Sequence, residues 1–137
     1  MNRVGREERC ALLAVAEPTE LVALADDCLA DGVELEVLVA PEVGCVTAQV
    51  REPVAADWFL LGDVLACRAE VALAGSRGWA MRLGDDRAAT LAAAVLDAEA
   101  EAGRPHGRDV EELCATVAQR QQTAAHAEWA ELAPTVV

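Results

Sequence analysis

Arg51, Arg68, Arg77, Arg82 and Arg87 all lie in the middle of the chain. A guanidinium offers a planar fork of donors that matches carboxylate or phosphate oxygens two at a time, so these are the groups that would grip an anion. Glu70, Asp85 and Asp86 stand in the same region and compete for those forks. The stretch "FLLGDVLACRAEV", Phe59 to Val71, concentrates the question, because it reads as a strand yet carries Arg68 and Glu70 near its end. Two readings are open: a salt-bridged sheet face in water, or a polar face that meets another subunit or an anion.

Other constellations are weaker. His106 sits in a Gly/Pro linker and His126 near Glu128, and two distant histidines fall short of a metal's ligand count. Cys10, Cys28, Cys45, Cys67 and Cys114 are odd in number, widely spaced and without a C-x-x-C, which indicates reduced, mostly buried thiols rather than zinc or disulfides. Gly84 precedes a helix start, where backbone N–H groups attract anions, but Asp85 and Asp86 repel them and make a cap the better reading. No Ser-His-Asp or Cys-His arrangement is legible.

The elements that must position these groups follow from pattern. Residues 6–16 are helical in composition, and Pro18 suits the first position of a second helix that Gly32 stops. Residues 33–40 alternate as a half-buried strand, "PEVG" (41–44) reads as a turn, and 45–51 return as a strand. Residues 52–57 form a loop, and strands follow at 58–61 and 63–74 with Gly62 as a bulge or bend. A turn over Gly75-Ser76-Arg77 leads to a last strand at 78–83. That turn puts Leu73, Val71 and Ala69 opposite Trp79, Met81 and Leu83 on one apolar face. It also sets Glu70 opposite Arg82, and Arg68 opposite Gly84 beside Asp85 and Asp86. Asp85 or Asp86 caps a helix that ends at Gly103, and Asp109 with Glu112 resembles a capping box for a last helix running to about Leu132. The fold expected is α+β in a single domain over 1–137: N-terminal helices, a four- to five-stranded antiparallel meander and two C-terminal helices.

Composition sets limits. The chain has 137 residues, no lysine and a formal net charge of −13, which disfavours nonspecific binding to nucleic acid or an anionic membrane. No apolar run reaches the roughly 18 residues of a membrane span, and the N-terminus lacks a signal-peptide pattern, so a cytoplasmic protein is expected.

In order and spacing, several short motifs resemble the PhnG family, the small G subunit of the bacterial carbon–phosphorus lyase system. They are "PE-x-G" at Pro41, Glu42 and Gly44; Gln49 with Arg51; Phe59; "GD" at Gly62-Asp63; "RA-x-V" at Arg68, Ala69 and Val71; Gly78; "G-x-D" at Gly84 and Asp86; and "DA" at Asp97-Ala98. The resemblance runs over roughly residues 9 to 130 and weakens after Gly103. It departs from the family at "EPVAA" (Glu52 to Ala56), where a Gly/Thr-rich loop is usual, and at Asp85, where an arginine is usual.

The resemblance implies a subunit that assembles with the H, I and J subunits in a core complex. There it contributes to making ribose 1-methylphosphonate 5-triphosphate from ATP and methylphosphonate, a transferase reaction of the complex. It implies no cofactor in this chain, and the cysteines lack the spacing for an iron–sulfur cluster. The candidate ligand or interface residues it marks are Glu42, Gly44, Arg51, Gly62, Asp63, Arg68, Gly84 and Asp86. No catalytic residue is assigned, and the role implied is chiefly structural. The apolar sides of the terminal helices, including Trp129, and exposed sheet edges are the expected partner faces. The alternative is a divergent stand-alone homo-oligomer that binds a small ligand or regulates.

Overall fold

The computed structural model describes residues 5–51 and 58–132. Its elements are α1 (Arg6–Leu13), α2 (Pro18–Leu29), β1 (Leu35–Arg51), β2 (Trp58–Leu73), β3 (Ser76–Leu83), α3 (Arg87–Glu101) and α4 (Gly107–Leu132). The α+β class holds. Among the described residues there are three strands, in the antiparallel order β1-β2-β3, rather than four or five. The difference has a local cause. Pro41 to Gly44 does not turn the chain; it lies inside β1, where register shifts between Val37 and Val39 and between Val39 and Glu42 absorb the extra residues as bulges. Gly62, at φ 126°, likewise lies within β2 rather than between two strands.

The β2–β3 turn corrects the expected register. Ala74 (φ 49°) and Gly75 (φ 84°) form a two-residue turn between Leu73 and Ser76, with both central residues left-handed, as a tight hairpin requires. Val71 therefore faces Gly78, Ala69 faces Ala80, and Glu70 faces Trp79 instead of Arg82. The shift is by an odd number of residues, so every β3 side chain changes face. Trp79, Met81 and Leu83 leave the core side, and Gly78, Ala80 and Arg82 take it.

The core lies between that side of the sheet and α3. Ala92 to Ala100 of α3 are all buried, because the helix is enclosed by β2 and β3 on one side and by α2, α4 and α1 elsewhere. Gly78 makes the approach possible. A Cβ there would sit 2.6 Å from Ala98 N and 2.7 Å from Ala98 Cβ, and would also meet the Ala94 carbonyl. Small residues on both surfaces thus let a helix rest almost on the strand backbone.

Capping follows sequence logic at one helix and departs from it at another. Asp86 caps α3, its carboxylate accepting the Ala89 N–H at 3.0 Å. α4 begins at Gly107, two residues before the expected cap, so Asp109 occupies the first turn. Asp109 Oδ2 stands 2.9 Å from His106 Nδ1, reaching back to the residue that precedes the helix.

Beyond Leu83, which pairs with Ala66, β3 ends but β1 and β2 continue. Their pairing runs on from Cys45↔Leu65 to Arg51↔Trp58 as a two-stranded ribbon. Among the described residues, no helix is long and apolar enough to cross a membrane.

Candidate functional site

Glu42 and Arg68 are brought together. The bulge before Glu42 sets it opposite Arg68 in the ladder, and Arg68 Nε donates to Glu42 Oε1 at 2.6 Å. Arg68 thus pairs with a carboxylate on β1, not with Asp85 or Asp86. The hydrogen bond to Glu42, with that residue's charge, raises the Arg68 pKa further above its ordinary value. Both side chains are about half exposed, so the pair lies on a wet sheet face. Beside it is a cleft of about 290 Å³ whose lining includes Gly44, Cys45, Cys67 and Met81.

The other candidates do not converge on this pair. Gly44 faces Ala66 in the last three-stranded row, and Gly62 faces Ala48 along the ribbon. Asp63 accepts a hydrogen bond from Thr47 Oγ1 at 3.3 Å. Arg51 ends β1 with its backbone opposite Trp58; nine residues separate it from Glu42, roughly 30 Å of strand. Gly84 (φ 98°) turns the chain out of β3, its N–H bonded to Leu65 O at 2.9 Å, and Asp86 is spent on the α3 cap. The altered loop, residues 52–56, lies outside the described residues.

Arg82 does not meet Glu70. From the core face it donates to the carbonyls of Leu13 (2.6 Å) and Ala16 (2.9 Å), which close the end of α1. Burial pulls its pKa below the ordinary value.

Two buried carboxylates hold the densest ion-pair networks among the described residues: Asp97, which the resemblance marks in its "DA" motif without a role, and Glu99, which nothing in the sequence pattern singles out. Asp97 is fully buried in α3. Its Oδ1 accepts Arg9 Nε (3.0 Å) and Nη2 (2.8 Å), while Oδ2 accepts Arg6 Nη2 (2.9 Å) and the Trp79 backbone N–H (2.9 Å). Arg9 also pairs with Glu101, and Arg6 donates to Arg77 O at 2.8 Å. The Arg9 pKa is raised: burial works against the charged form, but hydrogen bonds to Glu101 and Asp97 outweigh it. Glu99, on another side of α3 and equally buried, accepts Arg104 Nε at 2.7 Å and the His106 N–H at 3.1 Å. Arg104 in turn reaches Asp31 (2.9 Å) and Cys28 O (3.3 Å) at the end of α2. A buried carboxylate is tolerable only when its oxygens are matched in this way, and both are.

The chemistry available is therefore mainly adhesive. Burial pushes the thiols of Cys10 and Cys114 up to about 11 and that of Cys28 up to about 12, which keeps them protonated and unreactive. Among the described residues, no three His, Cys, Asp or Glu side chains are grouped to hold a metal ion. Arg6, Arg9, Arg68, Arg82, Arg104 and Arg120 are all engaged with carboxylates or carbonyls of the chain itself.

A family model described as phosphonate metabolism protein PhnG matches residues 4–137. No curated protein matches the chain.

Proposed function

Because the chain belongs to the PhnG family of phosphonate metabolism proteins, we propose that it is a subunit of the carbon–phosphorus lyase core complex. In that role it assembles with the H, I and J subunits and contributes mainly as a structural part to the step that joins methylphosphonate to the ribose of ATP. What carries this reading, beyond family membership, is the use of the arginines. A triphosphate needs several free cations gathered together, and six of the chain's eleven arginines already hold its own acids and carbonyls. The formal charge of −13 works against an anionic substrate as well. The phosphate-gripping groups then belong to the partners, and the chain needs no cofactor of its own.

Native mass spectrometry after co-expression with the H, I and J subunits tests this. A stoichiometric complex containing the chain, with methylphosphonate transfer lost when the chain is omitted, is the expected outcome. Partners that assemble and turn over without it would overturn the reading. Arg68 and Glu42 face water at the cleft, and their role in this reading is at an interface or substrate path. Arg68→Ala then weakens assembly or turnover while leaving the melting temperature unchanged.

A further inference from the structure

A second, larger hollow lies on the opposite edge of the sheet from β1. Gly78 and Ala80 of β3 are buried toward α3, so Trp79, Met81 and Leu83 alternate onto the other face. α1 runs along the outer edge of β3: Arg6 meets Arg77 O at one end, and Leu13 O meets Arg82 at the other. Between them is a groove of about 630 Å³, walled by Cys10, Ala11, Ala14 and Val15 of α1 and its continuation, and by Trp79, Met81 and Leu83 of β3. Large apolar side chains are left in water there: Leu83 is 75% exposed, Val15 55% and Trp79 36%. Scattered exposed leucines are ordinary, but apolar residues gathered along one concave surface mark an interaction site.

The charges around the groove select the occupant. Glu7 lines one end, Glu70 lies across the ladder from Trp79, and exposed Asp85 follows Leu83 by two residues. Arg6 is held by Asp97, and Arg68, across from Met81, by Glu42. On this face of β3 that leaves Arg77, two residues before Trp79, set against Glu7, Glu70 and Asp85 among the described residues. A second copy of the chain would bring this acidic rim and another formal charge of −13 against its like. The occupant suited to an apolar floor with an acidic rim is an apolar segment flanked by arginine or lysine.

We propose that the groove between α1 and β3 docks such a basic-flanked apolar segment of another protein. The proposal rests on the subunit reading above and names the surface it uses. Val15 and Leu83 are exposed enough for replacement without disturbing the core. The test compares the wild-type chain with Val15→Arg/Leu83→Arg and Val15→Glu/Leu83→Glu, each co-expressed with the H, I and J subunits and recovered through a tag on a partner.

All three chains should melt alike when isolated. Recovery should fall about tenfold or more for the arginine pair, the equivalent of one lost 1.4 kcal/mol contact, and less for the glutamate pair. Hydrogen exchange in residues 10–15 should slow on assembly of the wild type. Undiminished recovery of the arginine pair, with the wild type assembled, overturns the groove proposal and leaves the subunit reading standing. Equal loss from both pairs overturns the assignment of a basic partner. A wild-type chain that dimerises alone and is dissociated by Leu83→Arg makes the occupant a second copy, against the proposal. A wild-type chain never recovered with the partners defeats the subunit reading and the docking proposal together.

Discussion

Asp97 Oδ2 accepts the backbone N–H of Trp79 at 2.9 Å, so a buried carboxylate on α3 closes the outer edge of β3. An open strand edge invites pairing with another chain. Here α3 and α1 close it together, since Arg6 and Arg9 bind the same carboxylate and Arg6 also takes the carbonyl of Arg77. One acid thus ties three elements.

Asp97→Ala leaves Arg9 with Glu101 alone and strands the Trp79 N–H. Removing one partner of a buried pair costs roughly 3–5 kcal/mol, and the retained Glu101 contact places this case at about 3. Asp97→Asn costs less, because its amide oxygen still accepts from Trp79. Urea unfolding of both variants measures the difference; a loss under about 1 kcal/mol in the alanine variant would contradict the network's role.

Gly78→Ala and Gly75→Ala separate two reasons for glycine. At Gly78 the added methyl meets the α3 backbone, so the helix must move, at a cost toward or beyond the top of the usual 1–3 kcal/mol for overpacking. At Gly75 there is open space but φ is 84°, and left-handed strain alone costs roughly 1–2 kcal/mol. The same unfolding assay should rank Gly78→Ala as the more damaging; the reverse order would mean that α3 does not sit against β3 as described.

His106 titrates above its ordinary value, because the hydrogen bond to Asp109 and that residue's charge favour imidazolium. A raised folded pKa means that the contact supports the start of α4 fully below about pH 6.5 and is lost as pH rises through the folded value. The ring is 38% exposed, so the clean readout is its own NMR titration. Asp109→Asn should bring the midpoint down toward an ordinary histidine; an unmoved midpoint would exclude this pair as the cause.

Thiol reactivity should sort by position. Cys45 is exposed on the ribbon, whereas Cys28, Cys67 and Cys114 are buried. Iodoacetamide at neutral pH should modify Cys45 first, with the others protected until denaturant is added. Early labelling of Cys28 or Cys114 would show that α2 or α4 opens readily.

The helices were legible because their ends carry strong local signals: Pro18 at a first turn, Asp86 as a cap and Gly103 after the last turn of α3. The sheet was legible in composition but not in register. Ala74 takes a left-handed φ that alanine rarely adopts, so nothing in "LAGSR" points to a turn one step before Gly75. That odd slip carried Trp79, Met81 and Leu83 to the wrong face. Pro41 misled for the opposite reason, since it sits in the bulge between Val39 and Glu42 and a bulge accepts the same residues as a turn, while Gly44 lies in regular register opposite Ala66.

Glu42 and Arg68 were both marked by the family resemblance, but their pairing depends on the bulge that precedes Glu42. Asp97 was marked by the resemblance too, but its burial was not legible, and Glu99 was not marked at all, because acids in an alanine-rich helix ordinarily face solvent. The available signal was two acids inside a helix otherwise too apolar for any exposed face, together with Arg6 and Arg9 three apart on α1.

The β1–β2 ribbon past Leu83 has an evolutionary corollary. Along its regular ladder, from Cys45↔Leu65 to Ala48↔Gly62, paired positions alternate with a period of two, so an insertion keeps the facing of residues beyond it when a strand grows by an even number or when a bulge, like the shift between Ala48 and Gln49, absorbs the odd residue. Each two-residue step lengthens the ribbon by about 6.7 Å. The reach of the ribbon is therefore separable from the core: it can lengthen beyond Leu83 while the α3 packing around Gly78 and Asp97 is left untouched.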